Sequence, residues 1–451
     1  MLITHGAVVT CDTPNAVIDD GAVMIEGDTI VAVGPTADLL ARHPDAETLD
    51  VGGRLVMPGN ICAHTHFYGA YARGLAIPGP APKDFPEILT RLWWQLDKAL
   101  TPEDVYYSAL VSLVDAVRRG TTTLFDHHAS PNAIGGSLDI IADAVGEAGL
   151  RACLCYEVSD RDGPERCEAG IVENARFIER VRQQGGAQLG ALFGLHAALT
   201  LSDETLDRCA AAVPEGVGFH IHAAEGPADQ EASLSRYDMR VIHRLNARGI
   251  LGPRTIVAHA IAIDPWEMET LRDTETWVSH QPRSNMNNAV GVADVPAMLR
   301  AGMKVVLGND GFSNDMFQEM KFAYLLHKSH RGDPRVMGGY EVMTMALANN
   351  ARLAGSIFGA GRLGRLASGA LADVIVLDYY PFTPLTADNV PWHILFGMDG
   401  SNVTHTIAAG RLLMKERELL FLDEREIMAQ ALARAPGVWE RFAGARSSLT
   451  P

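Results

Sequence analysis

Between about residues 100 and 310 the apolar positions of this 451-residue chain switch repeatedly between two patterns. One has helical spacing and the other is a short, almost wholly apolar run. Val105, Leu110, Leu113, Val114 and Val117 share one helical face, and Gly120 stops that helix. Residues 121–126 follow as a strand. The exchange then repeats: a helix over 138–149 precedes the strand 151–156, and a helix over 165–184 precedes the strand 189–196. A helix over 203–213 leads to the strand ending at His222, and 255–259 is the next strand. Helices over 265–273 and 295–302 lead to the strands 276–280 and 304–310. With the apolar run 54–63 placed first, eight strands alternate with helices. Such alternation predicts an α/β architecture, a parallel sheet with crossover helices. Eight units fit a closed (β/α)8 TIM-like barrel, whose active site lies at the C-terminal ends of the strands.

The flanks read differently. Residues 7–10, 22–25 and 29–33 have short period-2 stretches, and that style returns at 372–378 and 403–413, with a turn at Gly410-Arg411. Two β-rich flanks predict one composite β-sandwich domain built from both chain ends, 1–57 and 365–451, around a barrel over 58–364. The tail 424–442 reads as a helix of the composite domain.

The strand ends carry the chemistry. His64-Thr65-His66 closes the first run, and side chains at i and i+2 of a strand point to one side. Taken alone, this pair equally fits two ordinary, partly buried histidines. The strand of His220 and His222 continues through Ala223-Ala224 to Glu225; the next strand ends at His259, and the last at Gly308-Asn309-Asp310-Gly311. Four such ends in chain order point to a metal centre assembled from different strands of one sheet.

Met57-Pro58-Gly59 ahead of His64-x-His66, together with His222-Ala-Ala-Glu225, His259 and Gly308-Asn-Asp310-Gly311, resembles the amidohydrolase superfamily over almost the whole chain. The similarity is to the metal-dependent hydrolase branch of cytosine, guanine and adenosine-type deaminases and triazine chlorohydrolases. Within that branch the sequence is similar to the SsnA group of aminohydrolases. That similarity rests on Leu92-Trp-Trp-Gln-Leu-Asp-Lys-Ala-Leu100, Asp126-His-His-Ala-Ser-Pro131, Gly135-Gly-Ser-Leu138, Ser284-Asn-Met-Asn-Asn288 and Glu319-Met-Lys-Phe322. The resemblance implies that His64, His66, His222 and Asp310 ligate one divalent metal ion. It also implies that Glu225 shuttles protons, that His259 polarises the attacked group and orients the water, and that His196 faces the substrate. Two departures border the pocket: Asn309 stands where many relatives have Thr or Ser, and Gln281-Pro282-Arg283 replaces the more usual segment.

Three imidazoles and one carboxylate suit Zn2+, with Fe2+ or Mn2+ as alternatives. A metal of this kind lowers the pKa of a bound water towards about 7. Asp310 is placed to accept the water's proton. Glu225, three residues past His222, is placed to protonate a ring nitrogen, work that typically contributes about 10²–10⁴-fold in rate. No lysine occurs between Lys98 and Lys304, so strands two to six offer no carboxylated lysine to bridge two metals. Asp126 or Glu157 remains as a carboxylate in that region, and the simpler reading is one metal.

Other residues are placed rather than explained. His127 and His128, after strand two, either line the pocket or bond neighbouring loops. Trp94, beside Trp93 in the excursion after strand one, either caps a planar ring or packs in the core. Arg283 suits an anionic or carbonyl group, and Glu157 suits ring N–H groups.

Net charge is −17, from 38 Lys and Arg against 55 Asp and Glu spread along the sequence, which argues against a nucleic-acid partner. No stretch approaches the roughly 20 apolar residues of a membrane span, and the start lacks a signal-peptide pattern. Six cysteines without disulfide spacing point to a reducing cytoplasm. A homodimer or higher homo-oligomer is the expectation from the family. The predicted function is hydrolytic deamination of a small aminated N-heterocycle (purine-, pterin- or pyrimidine-like) with release of ammonia. The alternatives are hydrolysis of a cyclic amide or of a halogenated triazine-like ring in the same site, and a non-catalytic metal-binding scaffold.

Overall fold

The computed structural model describes residues 1–447. The apolar run 54–63, which reads as one strand, is two strands in two sheets. Leu55–Pro58 lies between Leu2–Val9 and Val374–Leu377, whereas Asn60–Thr65 pairs with Thr121–His128. Gly59 makes the change of direction possible. A Cβ there would meet Thr122 Oγ1 at 2.3 Å, so a side chain would push the two segments apart. Both strands are buried, which is why their apolar pattern runs on without a break.

Parallel pairing joins Asn60–Thr65, Thr121–His128, Arg151–Tyr156 and Leu189–Ala191. It also joins Phe193–Ala197, Phe219–Ala223, Ile256–His259, Trp277–His280 and Lys304–Leu307. Leu189–Ala191 and Phe193–Ala197 are halves of one strand interrupted at Leu192, so the four-stranded and five-stranded sheets make eight strand positions. A bridge between Val158 and Leu195 links the two arcs, and one between Thr65 and Asp310 closes the ring. Asn350 staples this seam: its Nδ2 donates to Ile61 O at 2.6 Å and Leu307 O at 2.9 Å, and its Oδ1 accepts from Leu307 N at 2.9 Å.

The crossover helices form where the periodicity places them. Pro102–Arg119 starts on a Thr101–Asp104 capping box with Pro102 in its first turn, and ends at Gly120 in the left-handed conformation (φ 72°). Its buried face of Val105, Ala109, Leu113 and Val117 covers the outside of the barrel. The strand Thr121–His128 is two residues longer than the predicted 121–126 and carries His127 and His128 within it.

Both chain ends build one continuous nine-stranded sheet in the order Glu418–Leu419, Arg411–Lys415, Val403–Ala408, Val374–Leu377, Leu55–Pro58, Leu2–Val9, Val17–Glu26 and Thr29–Pro35, with Thr48–Asp50 beside Leu2–Val9. The sheet folds over a shared core of Ile3, Val8, Val23, Ile25, Val56, Val374, Val376 and Ile407. A bridge from Thr29 to Leu371 brings its far edge back. The tail helix Glu424–Ser447 lies against the barrel. Val438 and Phe442 are buried, and Trp439 Nε1 donates to Tyr71 O at 3.0 Å. It thereby braces the excursion after strand one, which overhangs the mouth of the barrel. Among the described residues no helix is long and apolar enough to cross a membrane, and all six cysteines are free thiols.

Candidate active site

The first and last barrel strands lock together at their C-terminal ends. Asp310 N donates to His64 O at 3.0 Å, and His66 N donates to Asp310 O at 3.2 Å. Gly308 permits this approach, because a Cβ there would lie 2.8 Å from His64 N. The interlock brings residues 246 positions apart into one site.

Backbone carbonyls then orient the rings. His66 Nδ1 donates to His127 O and His222 Nδ1 donates to His196 O, each at 2.6 Å. Each ring is left with a bare Nε2. These two nitrogens lie 3.2 Å apart, and Asp310 Oδ1 is 3.3 Å from His66 Nε2. His64 Nδ1 faces His220 Nε2 at 2.9 Å, while His64 Nε2 is buried with no hydrogen-bond partner among the described residues. Burial pushes His66 and His222 down to about 4 and His64 well below its ordinary value, so these rings stay neutral. Lone pairs aimed at one another without a proton between them repel unless a cation sits among them. Carbonyl-oriented neutral imidazoles with a carboxylate are the donors a divalent metal takes, at spacings that match ligands about 2.1 Å from a common centre. Donor atoms of His64, His66, His127 and His222, and of His64, His259 and Asp310, lie within 4.8 Å of one another. The donor set fits a divalent metal ion.

The remaining groups surround that centre. Glu225 is 8 % exposed and its Oε2 is 3.4 Å from His259 Nε2. Burial, and then the nearby Asp310 charge, raise its carboxyl pKa well above the usual range, which favours its protonated form. His259 Nδ1 meets Asn285 Nδ2 at 2.8 Å, and its Nε2 is 3.7 Å from Asp310 Oδ2. Ser284 Oγ donates to Asp310 Oδ2 at 2.7 Å. Ala224, His259, Ala260 and Asp310 all have positive φ, between 48° and 76°. Non-glycine residues adopt that conformation at a cost, and such strain clusters at functional sites.

A cavity of about 490 Å³ opens over these groups. His66, His196, His222, Glu225, His259 and Asp310 line its floor, and Phe85, Leu89, Trp93 and Phe312 its walls. His196 is held by Thr200: Thr200 Oγ1 gives its proton to Ala197 O and so accepts from His196 Nδ1 at 2.7 Å. The bare His196 Nε2 lies 3.7 Å from Glu157 Oε2.

Several expected substrate contacts fall elsewhere. His127 does not reach the cavity; it lies beneath the ligand cluster, stacked on His220 at 4.4 Å. His128 is buried off the cavity against Ser130 Oγ at 2.9 Å. Both lie on the strand itself, where successive side chains take opposite faces. Glu157 is buried under the floor, 3.4 Å from both His66 Nδ1 and His127 Nδ1. Trp94 packs on His196 and the Arg161 guanidinium, and its neighbour Trp93 takes the cavity wall instead. Arg283 is committed to Glu319 and to Ser313 on the loop after strand eight, so its guanidinium does not wall the cavity. Sequence reasoning used residues 284–288 only for family likeness and missed their contacts. Their dense Ser and Asn content next to a strand end was the available signal.

The family profile described as Amidohydrolase family matches residues 55–413. The chain belongs to the amidohydrolase family. A second profile, the bacterial Imidazolonepropionase-like composite domain, matches residues 21–46. The chain is 35% identical over 438 residues to a 5-methylthioadenosine/S-adenosylhomocysteine deaminase of Syntrophobacter fumaroxidans, covering 95% of this amidohydrolase and 96% of the relative. It is 32% identical over 437 residues to a 5'-deoxyadenosine deaminase of Methanosarcina mazei, covering 96% of each. Among solved structures it is similar to a zinc-bound adenosine deaminase of Xanthomonas campestris, with TM-score 0.85, 25% identity and 98% of each chain covered. It shares the fold of the atrazine chlorohydrolase TrzN from Arthrobacter aurescens, with TM-score 0.81, 21% identity, and 96% of this chain and 100% of the other covered. This amidohydrolase is a hydrolase acting on carbon–nitrogen bonds.

Proposed function

We propose that the chain is a zinc-dependent deaminase of adenosine-like purines. The observation that carries this reading is the meeting of bare imidazole nitrogens and Asp310 with the buried Glu225 carboxyl at the floor of one cavity. In this reading His64, His66, His222 and Asp310 hold the ion, which when bound supplies a water acidified towards about pH 7. Asp310, steadied by Ser284, takes the water's proton. Glu225 delivers its proton to the ring nitrogen beside the amino-bearing carbon. His259 Nε2 hydrogen-bonds the oxygen that adds to that carbon. The carbon–oxygen bond forms, the carbon–nitrogen bond breaks, and the amino group leaves as ammonia with the protons these groups have passed on.

The names of the sequence relatives support an adenosine-type ring. The cavity is within the range of small-molecule sites, about 300–1,000 Å³. Its apolar wall of Phe85, Leu89, Trp93 and Phe312 suits a purine face. The buried free thiols favour a reducing cytoplasm, and a homo-oligomer remains the family expectation. The test is metal analysis of the purified protein with an ammonia-release screen. Its substrates are adenosine, 5'-deoxyadenosine, 5-methylthioadenosine, S-adenosylhomocysteine, guanine and a chlorinated triazine. Ammonia from the adenosine-type compounds, dependent on the metal, is expected. Release of chloride from the triazine with no ammonia from any purine would overturn it.

A further inference from the structure

The helix Pro282–Asn288 follows strand seven and carries Ser284, Asn285 and Asn288 towards the cavity floor. Ser284 Oγ donates to Asp310 Oδ2 at 2.7 Å, and Asn285 Nδ2 lies 2.8 Å from His259 Nδ1. Asn288 lies against the Glu225 carboxyl and offsets part of the rise that burial imposes on it. Each group given a proton or hydrogen-bonding task in the reaction therefore has a polar neighbour from this one helix.

Asn285 has the most specific task. Its side chain is 1 % exposed and its Oδ1 has no partner among the described residues. A side-chain amide can offer either its NH2 or its oxygen to an imidazole, so the pair by itself does not fix which ring nitrogen holds the proton. The far side of the ring does. His259 Nε2 faces Glu225 Oε2 at 3.4 Å and Asp310 Oδ2 at 3.7 Å. A bare Nε2 would set its lone pair against the Asp310 carboxylate, whereas a proton there is attracted to it and to Glu225 Oε2, which remains an acceptor when the Glu225 proton sits on its other oxygen, the one free to serve the substrate. Nδ1 must then accept, and the amide NH2 must face it.

We infer that Asn285 is a positioning residue that holds His259 in the Nε2–H tautomer, so that the ring presents a donor to the cavity. The catalytic consequence rests on the deaminase reading; the tautomer does not. The alternative tautomer, with the proton on Nδ1, would leave His259 Nε2 free to ligate a metal and could not donate to an adding oxygen. Asn285 thus decides whether His259 is a hydrogen-bond donor or a further ligand.

The test is ¹⁵N NMR of the zinc-loaded full-length protein labelled on histidine, with the His259 signals assigned from the spectrum of His259→Gln. A proton on Nε2 is expected. Asn285→Asp keeps the shape but offers only acceptors, so it should move the proton to Nδ1. Zinc content should stay at the wild-type value, and kcat for ammonia release should fall about 10²-fold or more with KM little changed. Asn285→Ala should leave a mixture of tautomers and a smaller loss of kcat. A wild-type His259 protonated on Nδ1 would overturn the inference, whether or not the Asp variant folds. So would Asn285→Asp with the proton moved and kcat unchanged. The NMR measurement uses no substrate, so a failed ammonia screen would sink the proposed function and leave the tautomer result standing.

Discussion

Barrel strands six and seven are neighbours in register, each ends in a fully buried histidine, and only one of the two histidines faces the cavity. Ile256 pairs with Trp277, Val257 with Val278 and Ala258 with Ser279. Val257 and Val278 belong to the core outside the barrel, and Ile256 and Trp277 to the cluster within it. Alternation along a strand therefore sends both His259 and His280 outward. His280 obeys and packs on His327 of the helix Met316–Arg331, Nε2 to Nε2 at 3.2 Å. His259 leaves strand geometry with φ 76°, followed by Ala260 at 48°, and its ring faces Glu225 and Asp310. Burial keeps both rings neutral. Burial alone therefore does not make a histidine reactive; a strained backbone that turns it towards carboxyl groups and a cavity does.

The largest effect should come from the side that carries the chemistry. Asp310→Asn should abolish ammonia release and cut the bound metal, read by metal analysis beside the activity assay. Glu225→Gln should lower kcat by about 10²–10⁴-fold while keeping its metal; normal turnover would show that Glu225 is no proton shuttle.

Stability tests the outward histidine's partner next. Burial lowers His327 to about 4, below the ordinary value of 6.5. The unfolded chain then binds the proton more readily, so stability is lost as pH falls from 6.5 towards 4. Asp294 on one side trims the shift, and the positive charges of His330 and Arg331 on its own helix deepen it. The loss amounts to about 3 kcal/mol over that window. Denaturant unfolding of His327→Gln should show a flatter acid limb by about that amount, and an unchanged limb would mean that the ring is not buried neutral. The smallest effect is on turnover at the outward histidine. His280→Gln should leave kcat within about twofold of wild type, although losing its partner destabilises the chain by about 1–3 kcal/mol. A loss of kcat comparable with that of His259→Gln would erase the distinction between the two strands.

Much of the fold is legible in local pattern. The alternation of periods gives the barrel, Thr101-Pro102 and Gly120 bracket a helix, and His64, His66, His222, Glu225, His259 and Asp310 do meet at one end. The misses share a cause. Gly59 divides a uniformly apolar run because two different sheets bury its halves. Trp93 and Trp94 are adjacent on a helical turn, and their roles depend on how that turn docks over the barrel mouth. Arg283 is taken by Glu319, 36 residues further on, a partner that no local spacing announces.

The order of residues determined which elements form and which strand ends hold imidazoles and carboxylates, because helical and extended periods are set within a few residues by steric preference and burial. The tertiary structure decided which of those ends point inward, which nitrogen of each ring stays bare, and which polar side chains attend them. Those outcomes depend on register between distant strands and on single left-handed residues such as His259 and Asp310, whose conformational cost only the assembled barrel can hold in place.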